Sequence, residues 1–322
     1  MIGEFSPPPE AVQRIVADVA AYEADRKIAH QAVRWRVPVV MGSFVAVAAA
    51  AVAVDIWFTR GAFLDNRYQW IQIALGLGIF LGGIEAYKFA RKPAVIAQEK
   101  FRSRLLPMVF GFVENLRHGR GMRPDSFAGI PQEVTGHFNR EEFDDYIAGR
   151  WRDLDFELCE ARLRYKAGKS TSEAFRGVIV SFPLARPFAG KLIVTRQIGS
   201  VSRFFRDAWA KQVPIRPQSG DAEIDKTFEF RTDNEAATRE LFGHGLPKAL
   251  KWLLETWPQA PARLALTGAR GYLLLPGSDA ALFELPDISA PLDYNRHVTP
   301  IVADLGRILA IARLVRDASQ PG

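Results

Sequence analysis

Residues 37–54, VPVVMGSFVAVAAAAVAV, carry no charge, and a second uncharged run, YQWIQIALGLGIFLGGI, covers Tyr68 to Ile84. Nothing else in the 322 residues limits the fold as strongly. A helix of about 20 mostly apolar residues crosses roughly 30 Å of hydrocarbon. Trp35 and Trp57 sit at the two ends of the first run as interfacial anchors. Beyond the second run, Glu85 falls near a membrane edge, with Tyr87 and Lys88 placed to snorkel. The expectation is a transmembrane helical hairpin over 37–90, with spans at about 37–58 and 68–88. A buried core hairpin is the alternative. Neither run is expected to be a cleaved signal peptide: about 36 residues precede the first, no small-residue cleavage pattern follows it, and a second span comes soon after.

The flanking charges orient the pair. Arg26, Lys27, Arg34 and Arg36 precede the first span, and Lys88, Arg91, Lys92, Lys100, Arg102 and Arg104 follow the second. The connecting stretch TRGAFLDNR holds only Arg60 and Arg67, offset by Asp65. The positive-inside rule then puts both termini in the cytoplasm, and a bacterial inner membrane is the expected location. Arg91, Lys92, Lys100, Arg102 and Arg104 are candidate contacts for anionic lipid. Much of the net charge of +6 lies in these flanks, which argues against a nucleic-acid-binding role. Gly42, Ala46 and Ala50 recur every four residues, and Gly78 and Gly82 form G-x-x-x-G. Such faces join helices closely, within one hairpin or between copies in a homo-oligomer.

On either side of the spans the pattern is helical. A cytoplasmic helix is expected within 1–36, where Val12, Ile15, Val16, Val19 and Tyr22 recur at helical spacing. A membrane-proximal helix is expected over 91–116, opened by Pro93 and kinked at Pro107. From 117 to 322 the composition becomes that of a cytosolic domain. GRWRDLDFELCEARLRYK alternates as a strand or hairpin, IDKTFEFRT reads as a strand, and NEAATRELF and LPKALKWLLETW read as helices. ARLALTGARGYLLLPG reads as two strands about a Gly268–Gly271 turn; LFELP and a closing helix, TPIVADLGRILAIARLVRD, follow. Strands and helices alternate irregularly, so the fold class is α+β, with a largely antiparallel sheet.

Candidate chemistry is sparse. The lone Cys159 excludes an internal disulfide, and no base is near it in sequence. His30, His118, His137, His244 and His297 are scattered, with no metal-ligand spacing. REEFDD lacks the alternation of a calcium loop and reads as a solvated helix start. GHGLPK reads as a helix stop before Pro247, and RHGRGMRP as a basic turn able to meet phosphate. FRGVIVSFPLARPFAG repeats Phe-x-Gly at Phe175/Gly177 and Phe188/Gly190. It reads as a hairpin centred on Ala185, with Gly177 opposite Ile193 and Gly190 opposite Val180, where each glycine makes room for a neighbour. Apolar residues on both faces of its first strand imply a central place in the sheet. No catalytic, cofactor or metal site is assigned on these patterns.

DDYIAGR, FELCEA, FRG…FAGKLIV, TDNEAA, GYLLLP and LFELP, in this order and spacing over about 100–315, resemble a bacterial two-span membrane-protein family of unknown function. Ala148, Arg176 and Gly271 depart from its usual pattern. The resemblance implies fold kinship and membrane placement but no activity. The expected function is a membrane-tethered interaction or scaffold module with a protein or lipid partner. The alternatives are a membrane-bound enzyme whose site is assembled in the cytosolic domain, and an accessory subunit of a transport assembly.

Overall fold

A computed structural model describes residues 9–59, 69–196, 215–258, 262–277 and 290–320. The chain divides into two compact units. The loop after Thr59 and the LFELP segment lie outside the described residues.

The helical unit covers Val12–Leu106 and Leu285–Tyr294. Helix α1, Pro9–Thr59, runs 51 residues without a break, and its Pro38 stays inside the helix. Helix α2, Gln69–Val109, runs 41 residues. At about 1.5 Å per residue these are rods of roughly 75 and 60 Å. The cytoplasmic helix and first span expected as separate pieces are therefore one helix. Likewise Pro93 opens nothing, because the helix passes through it. A proline inside a helix loses one backbone bond, and the turns on either side hold these positions helical.

The two helices run antiparallel. Ala29 and Ala94 pack with Val33 and Ala97, the Arg36 guanidinium lies 5.4 Å from the Phe89 ring centre, and a side chain added at Gly82 or Gly83 would meet the Phe44 ring. Gly82 thus serves the pairing of the two helices, whereas Gly42 and Gly78 face open space. Both helices contain stretches long and apolar enough to cross a membrane, and these stretches are almost wholly unburied. Near the start of α1, Glu23 accepts hydrogen bonds from Arg26 (2.8 and 3.0 Å) and from the Leu292 amide (2.6 Å).

The second unit is an α+β domain. Its described residues form a six-stranded antiparallel sheet of β1 (Glu114–Arg120), β2 (Arg140–Trp151), β3 (Leu154–Ala167), β4 (Ser170–Arg196), β5 (Phe228–Thr232) and β6 (Arg263–Pro276). Strands β1 to β4 pair in sequence order; β5 pairs with the end of β4, and β6 runs along its other edge. Helices α3 (Gln132–Thr135), α4 (Ala222–Thr227), α5 (Glu235–Gly243), α6 (Leu246–Thr256) and α7 (Thr299–Asp317) complete the unit. Helix α7 packs across β4 and β6.

Several expectations change. REEFDD is not a helix start; it opens β2, where Phe143 and Tyr146 face β3 across a bulge. Carboxylates in adjacent pairs suit a helix N-terminus, so composition pointed away from the strand that pairing with β1 and β3 imposes. RHGRGMRP begins as strand, with Arg117–Arg120 inside β1. IDKTFEFRT is split, its first part forming α4, capped by Asp221 through the Glu223 and Ile224 amides.

The largest change concerns the Phe-x-Gly repeat. It is no hairpin: β4 is one strand of 27 residues, and β6 is one strand of 14 with no turn at Gly268–Gly271. Gly177 lies opposite Pro276 and Ile193 opposite Ala265. Between Pro183 and Phe188 the register slips, so four residues of β4 stand against Ala269 of β6. Pro183 and Pro187 suggested a chain reversal, but prolines are also tolerated at such irregularities. The central placement holds: β4 is flanked on both sides, and Val178, Ile179, Val180, Ser181 and Phe182 are all buried.

Candidate functional site

Strand pairing places Tyr146, Ala148, Glu157, Cys159, Ala161, Gly177, Ile179, Ser181, Tyr272 and Leu274 on one face of the sheet. The segment from Pro124 to Gly136 covers part of that face. Phe127 packs edge-on against Phe143 (5.0 Å) and Phe138 (6.0 Å) and joins Val134 in a core with Cys159, Phe175 and Ile193. Arg263 anchors the cap from below, donating to the Val134 carbonyl at 2.6 Å and to the Ala174 carbonyl at 3.4 Å. Lys191 Nζ reaches the buried Glu133 carboxylate at 2.7 Å. These bonds satisfy backbone carbonyls that would otherwise be buried without donors.

Elsewhere on the sheet lies an open cleft of about 470 Å³, a size suited to a small ligand. Its polar lining includes Arg117 from β1, Arg150 from β2, Glu157 from β3, Ser181 from β4 and Arg270 from β6. The carboxylates here already have partners. Asp155 is forked by Arg150 at 2.7 and 2.9 Å, and these bonds hold its carboxyl below the ordinary range. Glu157 accepts from both the amide (3.1 Å) and the hydroxyl (2.5 Å) of Ser126, which ties the cap to β3. Arg270 makes one long hydrogen bond, 3.4 Å, to Ser181 Oγ. Burial pushes the phenols of Tyr146 and Tyr272 up, so both remain neutral donors at neutral pH.

The repeated Phe-x-Gly and TDNEAA signals have structural jobs. Gly177 has φ +148°, and a Cβ there would strike the Leu275 carbonyl and the Gly277 amide. Gly190 has φ +123°, and a Cβ there would strike the Asp233 carboxylate, which accepts from the Lys191 amide at 2.6 Å. Asn234, next in TDNEAA, donates to the Ala189 carbonyl at 2.6 Å and caps α5 by accepting from Ala237 N at 3.1 Å. Both copies of Phe-x-Gly therefore serve close packing, as their reading as room for a neighbour anticipated.

The lipid-contact candidates lie on α2. Arg91 stacks over Tyr87, Lys92 and Lys100 are exposed, and Arg102 and Arg104 have side chains outside the described residues. At 100° per residue the five wind around the helix and do not share a face. Cys159 is buried, and burial pushes its thiol above the ordinary range. His118 approaches the buried Asp145 at 3.8 Å, and His137 meets Gln132 at 2.6 Å. Among the described residues no group of three or more His, Cys, Asp or Glu is arranged to hold a metal ion.

Of the cleft residues, only Arg117 stood within a motif read from sequence as able to meet an anion. Arg150 and Glu157 sit in ordinary alternating strands. Arg270 was hidden by the division of 263–276 into two strands, which removes the register that sets it beside Ser181.

No family model matches the chain, and no curated protein matches it. The likeness to the two-span family thus rests on the motifs quoted above. Among solved structures, the mycobacterial trehalose monomycolate transport factor A, TtfA, aligns with 64% of this chain and 89% of its own. The identity is 8% and the TM-score 0.35, a likeness too distant to bear on fold or function.

Proposed function

We propose that the chain is an integral protein of the bacterial cytoplasmic membrane, spanning it at about 37–58 and 68–88. Both termini lie in the cytoplasm, and residues 117–322 serve there as a non-enzymatic interaction or scaffold module. The observation that carries this reading is the bare apolar surface of the two helices. Val47 is 69% exposed, Trp57 79%, Trp70 73% and Phe80 65%. In water such a surface would drive association; in hydrocarbon it is the solvated state. The orientation follows from the lysines and arginines flanking the spans. Arg91 and Lys92 then lie near anionic headgroups, each contributing about 1 kcal/mol, whereas Lys100, Arg102 and Arg104 stand roughly 18–24 Å further along α2 at about 1.5 Å per residue. The module half is supported by the open cleft, whose carboxylates are engaged in holding strands and cap together.

Alkaline carbonate washing of membranes should leave the full chain in the pellet, and protease added to inside-out vesicles should digest the α+β domain. Release by carbonate, or protection of that domain, would refute the placement. Photo-crosslinkers at exposed positions of the domain should give discrete adducts in intact cells. A membrane-inserted chain yielding none would refute the module.

A further inference from the structure

We propose that the sheet cleft binds a small ligand bearing a phosphate or carboxylate group, held between Arg117 and Arg270. This rests on the reading of the α+β domain as a binding module and names what its cleft takes. A guanidinium carries five donors in a rigid fork and is always charged, so one facing an open cleft calls for oxyanion acceptors. Three arginines line this cleft, and their situations differ. Arg150 is neutralised in fork geometry by Asp155. Arg117 makes no ion pair among the described residues, and Arg270 has only the long bond to a serine hydroxyl.

The nearby carboxylate that could have neutralised either of them, Glu157, is drawn to Ser126 instead, with two hydrogen bonds fixing it. Two cations thus enter one cleft from β1 and β6 without an ion pair among the described residues, and three arginines against the two carboxylates Asp155 and Glu157 leave the lining net positive. Ser181 adds a hydroxyl and Asn115 a side-chain amide, both able to donate to the same ligand. The pairing Arg150–Asp155 fixes the wall beside them, and Pro183 provides apolar lining for the rest of the ligand. Two fork donors around one oxyanion match the bidentate recognition of phosphate and carboxylate.

The probes are inorganic phosphate, glycerol 3-phosphate and succinate, titrated by calorimetry into the full chain held in zwitterionic nanodiscs. Saturable binding of at least one probe is expected. Arg117→Gln and Arg270→Gln should each weaken it tenfold or more, while Arg239→Gln, exposed on α5 and outside the cleft lining, leaves it unchanged. Thermal melts of each variant check that the fold is retained. No saturable binding by the wild-type chain overturns the proposal, as does binding undiminished in folded R117Q and R270Q. Repeating the titration in nanodiscs containing phosphatidylglycerol separates the two sources of such a group. Competition by the lipid assigns a headgroup, and undiminished binding assigns a soluble ester or acid. Failure here would leave the protein adducts of the preceding test unaffected, so the two readings fail separately.

Discussion

At the scale of single residues, the chain spends its unusual chemistry on close packing. Gly177→Ala would place a methyl group into the Leu275 carbonyl at a φ of +148°, and should destabilise the chain by about 1–3 kcal/mol. Chemical denaturation of the full chain in detergent reads this directly, with Gly168→Ala, at a turn facing open space, as the comparison that isolates the packing clash. Cys159 should resist thiol reagents until the domain unfolds, since its sulfur is both buried and held as the thiol; rapid labelling of the native chain would contradict its position. Asp153 has its carboxyl pulled below the ordinary range by hydrogen bonds from Arg316. A depressed acid contributes stability that is complete above its unfolded value near pH 4 and lost as pH falls through the folded one. Arg316→Gln should therefore flatten the acid side of the stability profile below about pH 4. The pair is half exposed at Asp153, so solvent screens the effect. These roles were partly legible: the glycines announced close approach, but which atoms approach depends on a register that sequence did not supply.

Elements read well from sequence where one signal dominated and poorly where two signals competed. The two helices after β5 were visible from apolar spacing because each buries one stripe, and the closing helix from its long apolar run, buried on nearly all sides over 308–312. Alternation showed 149–166 as a strand or hairpin, which takes in β3 and only the end of β2; the two-residue turn between them places Arg152 at φ +55°. β4 and β6 were misread because proline and glycine in a strand carry the same letters as a turn, and only the partner strand distinguishes them. Helix α5 gives an element-level test. Asn234→Ala removes its cap and the tie to Ala189, and should cost about 1 kcal/mol, seen as a lower denaturation midpoint; an unchanged midpoint would show the cap to be idle. The cleft was the least legible feature, because its residues come from β1, β2, β3, β4 and β6 and no local stretch contains more than a fragment.

At the scale of the whole molecule, 48% hydrophobic residues conceal a division between helices whose apolar stretches are almost wholly unburied and a domain with a conventional core. Replacing Val47 and Phe80 together with lysine should abolish stable membrane insertion while leaving the sheet's own contacts untouched, which fractionation after carbonate washing would show. The continuous β4 strand carries a different consequence. Because side chains alternate strictly, one residue added between Val178 and Phe182 would turn every later side chain to the opposite face against β3, β5 and β6 at once. The four residues Leu184–Pro187, already out of step with β6, have no such register to keep. Natural variation in length along this strand should therefore collect at the two slips against β6, Leu184–Pro187 and Ala189–Gly190, so that β4 behaves as a ruler with slack links between rigid lengths.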